Sequence, residues 1–392
     1  YSETFYQELQ LNFALFDGRL DFVTGANYFQ EDSGTPREAL YQAIGSSVFN
    51  ATTGGTAFGN LWGCAGAGTT PPLCSTAQPR LRVTGDGLTQ QDATAYGLFA
   101  NATWHINEQF NLTMGVRKSW DEKELTSTLY ASDNFIPQTG GATSISASDD
   151  WSEPDWRTTL DWHVTNDVMV YLTASKAFRS GTFSVPAALA PAGPRTYSLR
   201  PPLAAVPPEF LRNNEIGVRS EWFDNRLRIN ATYYRMDFTN RQGASAVQDA
   251  TQPTGFIIQL VNQGDVDLWG TELEAMLAVT DNLSLEASAG WADYELSNAC
   301  INNGPYLFPP PMDSSWNFGG SYNFDATGGS YLLTVTNSHT GPMQTHPGGF
   351  TAEENARYNC GAFAGTFIDS RYQVPSYDLV NASLRFTPDE GP

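Results

Sequence analysis

The sequence has few charged residues, and fewer basic than acidic ones. Charged side chains make up 16% of its 392 residues, below the roughly 25% of a typical soluble domain. The 21 Lys and Arg stand against 42 Asp and Glu, a formal net charge of −21. This balance argues against nucleic acid as a partner, because a phosphate backbone must be neutralised by basic side chains. With 41% hydrophobic residues, the chain is also too apolar for intrinsic disorder.

Long apolar runs are also missing. No stretch approaches the roughly 18 consecutive apolar residues that a membrane-spanning helix needs, so any membrane role must be filled by strands. In contrast, aromatic and turn-forming residues are abundant: 23 Phe, 17 Tyr, 10 Trp, 35 Gly and 23 Pro. Many rings and many turns with few charges favour an all-β protein.

Hydrophobicity alternates with period two along most of the chain, which is the pattern of a strand with one apolar and one polar face. Between Leu283 and Trp291, for example, one parity is Leu, Leu, Ala, Ala and Trp, and the other is Ser, Glu, Ser and Gly. The same pattern predicts thirteen strands: Leu9–Phe13, Leu20–Tyr28, Tyr96–Trp104, Phe110–Arg117, Trp156–Trp162, Val168–Ala174, Ile216–Trp222, Leu227–Tyr233, Trp269–Val279, Leu283–Trp291, Trp316–Phe324, Tyr331–Val335 and Val380–Phe386.

The predicted connections alternate between short turns and long loops. Asp17-Gly18 and Asp224-Asn225 mark turns of hairpin length. The long connections cover residues 32–90, 132–150, 181–211, 241–254, 297–312 and 341–371. Short turns at one end and long loops at the other are typical of an up-and-down transmembrane β-barrel of the outer membrane. A soluble antiparallel sheet is the alternative, since it alternates similarly, but it gives no reason to place every long loop at one end.

A barrel in lipid turns its apolar parity toward the acyl chains and its polar parity toward the lumen. The predicted lumen set contains charges of both signs, including Glu215, Arg219, Glu272, Glu274 and Glu286. Aromatic residues lie near the predicted strand ends, where membrane proteins carry interfacial belts: Tyr28, Trp104, Trp120, Trp162, Trp222, Trp269, Trp291 and Trp316.

All four cysteines fall in the predicted long loops. An even number on the outer side favours disulfides formed in an oxidising compartment. Three pairings are possible, and we favour Cys64 with Cys74 and Cys300 with Cys360. A zinc site is the alternative, but the close paired spacing that zinc favours is missing.

Sequence motifs for catalysis are missing. The four histidines, His105, His163, His339 and His346, are not grouped as metal ligands along the sequence. The sequence also lacks a G-x-S-x-G elbow, a phosphate-binding glycine loop and an H-E-x-x-H motif. We therefore predict a protein that is not an enzyme, with no cofactor and no bound metal.

Several strand segments carry a family resemblance. They are the hairpin Asn214–Tyr234 (NEIGVRSEWFDNRLRINATYY), residues 261–274 with VNQG and WGTELE, the strand end Tyr171–Gly181 (YLTASKAFRSG), and Gln7–Leu11 (QELQL). In these blocks, and in their order, the chain resembles the barrel of TonB-dependent outer-membrane receptors, and the siderophore receptors among them in particular.

The resemblance implies a 22-stranded barrel closed by an N-terminal plug domain, with a TonB-contacting segment before the plug. Residues 1–392 would then be part of the barrel domain, about thirteen of its strands, and the lumen set above would face the plug. We expect the chain to be a fragment, because an odd number of strands cannot close a bacterial barrel with both termini in the periplasm. The plug, the TonB-contacting segment and the last strands are expected outside it.

The function that the resemblance implies is active import of a scarce solute, most often a ferric siderophore, across the outer membrane of a Gram-negative bacterium. The implied partners are TonB, the receptor's own plug, outer-membrane lipid and the solute. Fold does not fix cargo, so a glycan, a vitamin or heme is an alternative solute. A passive porin and a secreted adhesin or structural all-β protein are the alternatives from other classes.

Candidate ligand-binding residues lie in and beside the loop 181–211. Arg195, Tyr197 and Arg200 belong to this Pro-rich loop, and Arg179 and Phe183 lie at its root. Arginine combined with aromatic rings suits a carboxylate-bearing or metal-chelate ligand. Acidic loops favour a cationic ligand equally well, so the sequence leaves the ligand open.

Overall fold

The computed structural model describes residues 1–34, 38–41, 84–130, 136–137, 144–184, 190–193, 196–198, 205–248, 256–297, 313–344 and 373–389. Secondary structure within these ranges consists of strands. Among these residues there is no helix long and apolar enough to cross a membrane.

The strands in chain order are β1 (Ser2–Leu15), β2 (Leu20–Gly34), β3 (Glu38–Tyr41), β4 (Thr84–His105), β5 (Phe110–Tyr130), β6 (Ile136–Pro137), β7 (Ser144–His163), β8 (Val168–Arg179), β9 (Thr182–Phe183), β10 (Ala190–Gly193), β11 (Thr196–Ser198), β12 (Ala205–Val206), β13 (Glu209–Trp222), β14 (Leu227–Thr239), β15 (Gln242–Gln248), β16 (Phe256–Asn262), β17 (Asp265–Ala278), β18 (Leu283–Ser297), β19 (Ser314–Ala326), β20 (Gly329–Thr340), β21 (Met343–Gln344), β22 (Gln373–Val374) and β23 (Tyr377–Pro388).

Thirteen long strands form one antiparallel sheet in which each strand pairs with the next long strand along the chain. Their order is β1-β2-β4-β5-β7-β8-β13-β14-β17-β18-β19-β20-β23. The up-and-down topology and the thirteen strands are confirmed. The short strands form small sheets between the long ones, apart from β3, which pairs with β4. Over the described residues the barrel is not closed, and β1 and β23 lie at its two edges.

The strands are longer at their outer ends than the alternation predicts. β4 begins at Thr84, β5 ends at Tyr130 and β7 begins at Ser144, so parts of the predicted loops 32–90 and 132–150 are strand. The outer parts of these strands are richer in polar residues and alternate less regularly, whereas the backbone hydrogen bonds of the ladder form whatever the side chains are. The predicted boundaries there were therefore wrong.

The turn between β13 and β14 depends on residues in the left-handed backbone region, as does the turn between β1 and β2 at Phe16 and Asp17. Phe223, Asp224 and Asn225 have φ of 58°, 55° and 65°, and Arg226 N donates to Phe223 O at 3.2 Å. Asp and Asn adopt this region with little penalty because their short side chains bond locally. Such turns join the long strands with only four residues.

The two faces of the sheet differ as the alternation predicts. On the apolar face, side chains such as Leu9, Met114 and Leu172 are half or more exposed, as expected of a surface that lies against lipid. The residues paired across the sheet on the other face are mainly polar. Few apolar residues of the described sheet are buried, and its one buried apolar cluster lies around Leu125 and Phe183 at the long-loop end.

Gly217 lets a tyrosine side chain lie flat across the polar face. Tyr171 is paired with Gly217 in the register of β8 and β13. The Tyr171 hydroxyl donates to Glu215 Oε1 at 2.6 Å and lies 3.1 Å from Thr232 Oγ1 on the strand beyond. A Cβ at Gly217 would overlap the Tyr171 ring. The glycine therefore allows a side-chain link across three strands.

We expect Gly217→Ala to destabilise the complete receptor by roughly 1–3 kcal/mol, since the Tyr171 ring must move and lose its hydrogen bonds. The measurement is the temperature at which the folded band disappears from a heat-modifiability gel. Gly290→Ala is the matched control, because a Cβ there meets only Ser315 Oγ at 3.7 Å. Equal transition temperatures for the two variants would contradict this role of Gly217.

Candidate transport lumen

The five charged residues predicted to face the lumen lie on one face of the sheet. Arg219 pairs with Asn230, and Asn230 pairs with Glu274 on the next strand. Glu215 and Arg219 lie on the same face of β13, because their positions differ by an even number. Glu272 and Glu274 likewise lie on the same face of β17. Glu286 pairs with Met276, which has the parity of Glu274. The register therefore brings the whole predicted set together on the polar face.

A recess of ≈ 530 Å³ lies on this face near the short turns, and its lining includes Arg219, Glu221, Arg228, Glu272 and Glu274. Arg228 Nη2 and Nε donate to Glu221 Oε1 at 2.7 and 3.0 Å. Glu274 Oε2 accepts a bond from the Asn230 amide at 3.3 Å. No ion pair joins Glu272 to another of the described residues. This part of the wall therefore carries carboxylates in excess of their cations.

A second recess of ≈ 440 Å³ extends the polar wall toward β7 and β4, and it is lined by Arg157, Asp161, Glu215 and Arg219 among others. Both signs of charge are again present. Because charged groups are stable only when hydrated or paired, this wall suits a polar filling, either water or another protein domain.

The structure brings two histidines together that the sequence analysis left separate. His105 Nδ1 lies 2.8 Å from Asn111 Oδ1, and Asn111 Nδ2 lies 3.4 Å from His163 Nε2. His105 Nε2 is 3.0 Å from Asp21 Oδ2. The sequence contained one signal for this proximity, because His105 and His163 each end a strand at a short turn. Over the described part of the chain, no three His, Cys, Asp or Glu side chains are placed to hold a metal ion.

At the long-loop end, a lysine ties the root of the loop 181–211 to the polar face. Lys123 Nζ donates to Ser180 Oγ at 2.7 Å and to Gly181 O at 2.8 Å, and it lies 5.7 Å from the centre of the Trp151 ring. Phe183, 4% exposed, packs against Trp151 with 6.1 Å between ring centres. The loop therefore starts by turning inward over the lumen wall.

Burial changes the acid-base properties of this root. It lowers the pKa of Lys123 because the ammonium loses hydration, an effect that the nearby Asp121 carboxylate opposes. It raises the pKa of Asp121 for the same reason. Both residues lie beyond Trp120, outside the membrane-spanning part of β5. The neutral acceptors Ser180 Oγ and Gly181 O therefore hold Lys123 in place, although its ammonium group loses hydration there.

A glutamine joins the hairpin β15–β16 to the same loop root. Gln242 Nε2 donates to Ser180 O at 3.1 Å and to Pro207 O at 2.9 Å, and its backbone N donates to Glu209 Oε2 at 2.7 Å. Asn262 Nδ2 donates to Pro207 O as well, at 3.1 Å. Two outer connections are therefore linked into one unit above the lumen.

The candidate ligand residues fall at different places in this arrangement. Arg179 is exposed on the lumen side at the end of β8, where it pairs with Glu209. Phe183 is buried in the loop root, and Tyr197 lies in β11, paired with β10 and β6. Arg195 and Arg200 lie outside the described residues. So do the four cysteines of the predicted disulfides, Cys64, Cys74, Cys300 and Cys360.

An antiparallel up-and-down sheet with an apolar outer face and a charged inner wall is the architecture of an outer-membrane β-barrel. The sequence profile described as "TonB dependent receptor-like, beta-barrel" matches residues 1–391. The chain therefore belongs to the TonB-dependent receptor family. Its members are transporters rather than enzymes, and they reside in the outer membrane of Gram-negative bacteria.

Solved structures of receptors share this fold. The ferric yersiniabactin uptake receptor FyuA from Yersinia pestis superimposes with a TM-score of 0.62 at 14% identity, over 98% of this chain and 46% of that one. The siderophore receptor PiuA from Acinetobacter baumannii gives 0.57 at 16% identity, over 98% and 49%. The copper transporter OprC gives 0.56 at 14%, over 98% and 48%. The chain spans about half the length of these receptors. Curated protein sequences gave no match.

We expect Lys123→Met to loosen the root of the loop 181–211, because methionine preserves the apolar stem but cannot donate to Ser180 or Gly181. In intact cells, trypsin cleavage after Arg195, followed by mass spectrometry of the peptides, should become faster. Glu124→Gln, the next residue on β5 and on the opposite face, is the control. Equal cleavage rates in the two variants would contradict the anchoring role.

Proposed function

We propose that this chain is part of the barrel of a receptor that binds and imports a ferric siderophore, with energy supplied through TonB. The proposal is supported by the family and by the names of its structural neighbours, two of which are a ferric yersiniabactin receptor and a siderophore receptor. At 14 and 16% identity these likenesses concern the fold. The cargo is therefore the part of the proposal that most needs an experiment.

The observation that carries the transport mechanism is the excess of carboxylates on the inner wall. Glu272 and Glu286 have no ion-pair partner among the described residues, and Glu274 has only an amide. A plug domain carrying basic side chains opposite β17 and β18 would supply the missing cations. On this proposal Glu215, Arg219, Glu272, Glu274 and Glu286 face the plug, and TonB acts by pulling on it.

Ligand recognition is proposed at the outer end of the lumen. Arg179 is exposed there, and Arg195, Tyr197 and Arg200 extend the site along the same loop. Phe183 serves this site by anchoring the loop root beside Trp151. Guanidinium groups bind carboxylate or catecholate oxygens of an anionic chelate, so a negatively charged ferric complex is the ligand class that these residues favour. We also propose disulfides Cys64–Cys74 and Cys300–Cys360 in the outer connections.

A second candidate cargo is a metal ion imported without a siderophore, which the likeness to a copper transporter brings into consideration. The porin alternative keeps the same barrel but places water against the charged wall. These alternatives differ in cargo and in energy source, so one set of uptake measurements separates them.

We expect cells that express the complete receptor to accumulate radioactive iron supplied as an anionic ferric siderophore, and to stop doing so in a TonB-deficient host. The probes are ferric catecholate, hydroxamate and carboxylate siderophores, heme and copper, each tested separately. Uptake that persists without TonB would favour the porin, and TonB-dependent uptake of only heme or copper would contradict the siderophore proposal.

In the same assay, Glu274→Lys should reduce uptake more than it reduces the amount of folded receptor, because a cation at this position repels the proposed basic groups of the plug. Asp293→Lys is the matched control, since Asp293 is exposed on the outward face of the neighbouring strand β18. Normal uptake by a fully folded Glu274→Lys receptor would refute the proposed plug contact.

A further inference from the structure

Three arginines on the lumen wall of β5, β7 and β13 are not neutralised by a carboxylate. They are Arg117, Arg157 and Arg219. Arg157 pairs with Gly115, two residues from Arg117 on β5, so these two arginines are diagonal neighbours on one face. Within the described ranges, none of the three forms an ion pair. In a chain with a net charge of −21, such a group of cations calls for an explanation.

Neutral groups hold the Arg117 side chain in place. Its Nε donates to Ser119 Oγ at 2.9 Å, and its Nη2 donates to Asn27 Oδ1 at 2.8 Å. The guanidinium reaches Asn27 by lying across Gly97, where an added Cβ would be only 2.7 Å from Nη2. A guanidinium has five N–H donors, so Arg117 is positioned while it keeps its positive charge and further donors for an anion.

Arg157 and Arg219 share a recess of ≈ 440 Å³, which is also lined by Asn101 and Thr113. Arg157 Nε donates to Thr159 Oγ1 at 3.3 Å. The Arg219 guanidinium carbon lies 5.4 Å from the centre of a tyrosine ring. Both arginine side chains are exposed. The recess therefore offers two guanidinium groups with neutral neighbours to whatever occupies the lumen.

The carboxylates of this wall are directed elsewhere. Asp155 is the register partner of Arg117, but its Oδ1 accepts from the backbone N of Phe178 at 2.9 Å. Glu215 accepts from a tyrosine hydroxyl at 2.6 Å, and Asp161 lines the recess without an ion pair. These carboxylates lower the net charge of the wall but leave the guanidinium groups open. Such a mixed wall binds an anion weakly, and a transported ion must also be released.

The arginines continue downward from the proposed ligand site. Counted from the short-turn end of its strand, Arg179 is eleven residues up and Arg117 is seven. Arg157 is six residues up and Arg219 is three. A strand residue at the usual barrel tilt adds roughly 2.5 Å of height, so no step exceeds roughly 10 Å. The four guanidinium groups therefore form a descending series through most of the membrane.

The wall of β17 and β18 has the opposite charge. Glu272 and Glu286 lack ion-pair partners in the described sheet, and Glu274 is bonded to an amide. An anion is repelled by that sector and attracted by the arginines of β5 and β7. Charge thus divides the described wall into two sectors, one suited to basic groups of a plug and the other to a passing anion.

We infer that Arg117 and Arg157 form a relay site for the anionic cargo inside the lumen, below the ligand site at Arg179. The cargo would bind there transiently and pass between the plug and the wall of β5 and β7, rather than along β17 and β18. Guanidinium groups suit the carboxylate or catecholate oxygens of a ferric chelate. This inference rests on the proposed import of an anionic ferric siderophore and adds the route that the cargo takes.

The test separates binding at the outer site from passage through the lumen. The probes are radioactive ferric catecholate and ferric carboxylate siderophores of net negative charge, added to intact cells with the complete receptor. The dissociation constant is measured in a TonB-deficient host, and the initial uptake rate in a TonB-proficient one. A wild-type receptor that binds none of these probes would refute the proposed function, and the relay would fall with it.

We expect the double variant Arg117→Gln, Arg157→Gln to take up the probe roughly tenfold more slowly, because two charge-assisted contacts with the passing anion are lost. Its dissociation constant should change by less than about twofold, since the outer site is intact. Arg117→Lys, Arg157→Lys keeps the charge and should restore most of the rate. An unchanged rate in the folded Gln variant would overturn the relay, as would a slower rate explained entirely by weaker binding.

The matched control is Arg212→Gln, Arg235→Gln, which removes the same charge from the outward face of β13 and β14. All receptors are first checked for folding by heat modifiability. An equal fall in uptake in this control would overturn the relay, because net charge would then be the cause.

Anchoring of the plug by the same two arginines is the competing role. Sensitivity of the cells to vancomycin, which a closed receptor excludes, distinguishes it. We expect the Gln variant to stay as resistant as wild type. Raised sensitivity in that variant alone would show a loosened plug and overturn the relay.

Discussion

The structure depends on one constraint: inside lipid, each backbone N–H and C=O must find a partner within the protein. Thirteen antiparallel strands meet this constraint by pairing each strand with the next along the chain. Since side chains of a strand point alternately to opposite faces, the same ladder places Leu285 against lipid and Glu286 toward the lumen. Fold, membrane placement and a charged inner wall thus follow from one pattern of pairing.

A second consequence of this constraint concerns the two edges of the described sheet, where backbone groups still need hydrogen-bond partners. β1 and β23 each have one side without a strand partner there, and unpaired edges are costly in lipid and promote aggregation. The solved relatives are about twice as long as this chain. Under the proposed function, basic side chains of a plug opposite β17 and β18 supply the missing partners of their carboxylates.

The sequence predicted the sheet well because apolar alternation is a strong local signal. It located Leu283–Trp291 and twelve other strands, and it placed Glu272 and Glu274 on the polar face. It failed where the determinant is not local. The outer part of β5 continues through Lys123 in a polar sequence, the link from His105 to His163 depends on register, and the burial of Phe183 depends on Trp151 from a strand some thirty residues earlier. Such contacts leave no periodicity to detect.

The most direct test of the account is the alternation itself. Nitroxide labels at successive positions 285 to 290 of β18, in the complete receptor in outer-membrane vesicles, report collisions with oxygen, which enters lipid, and with a water-soluble nickel chelate. We expect labels at 285, 287 and 289 to collide mainly with oxygen, and labels at 286, 288 and 290 to be shielded from oxygen and to respond to nickel. A smooth profile without period two, or one with the parities exchanged, would contradict it.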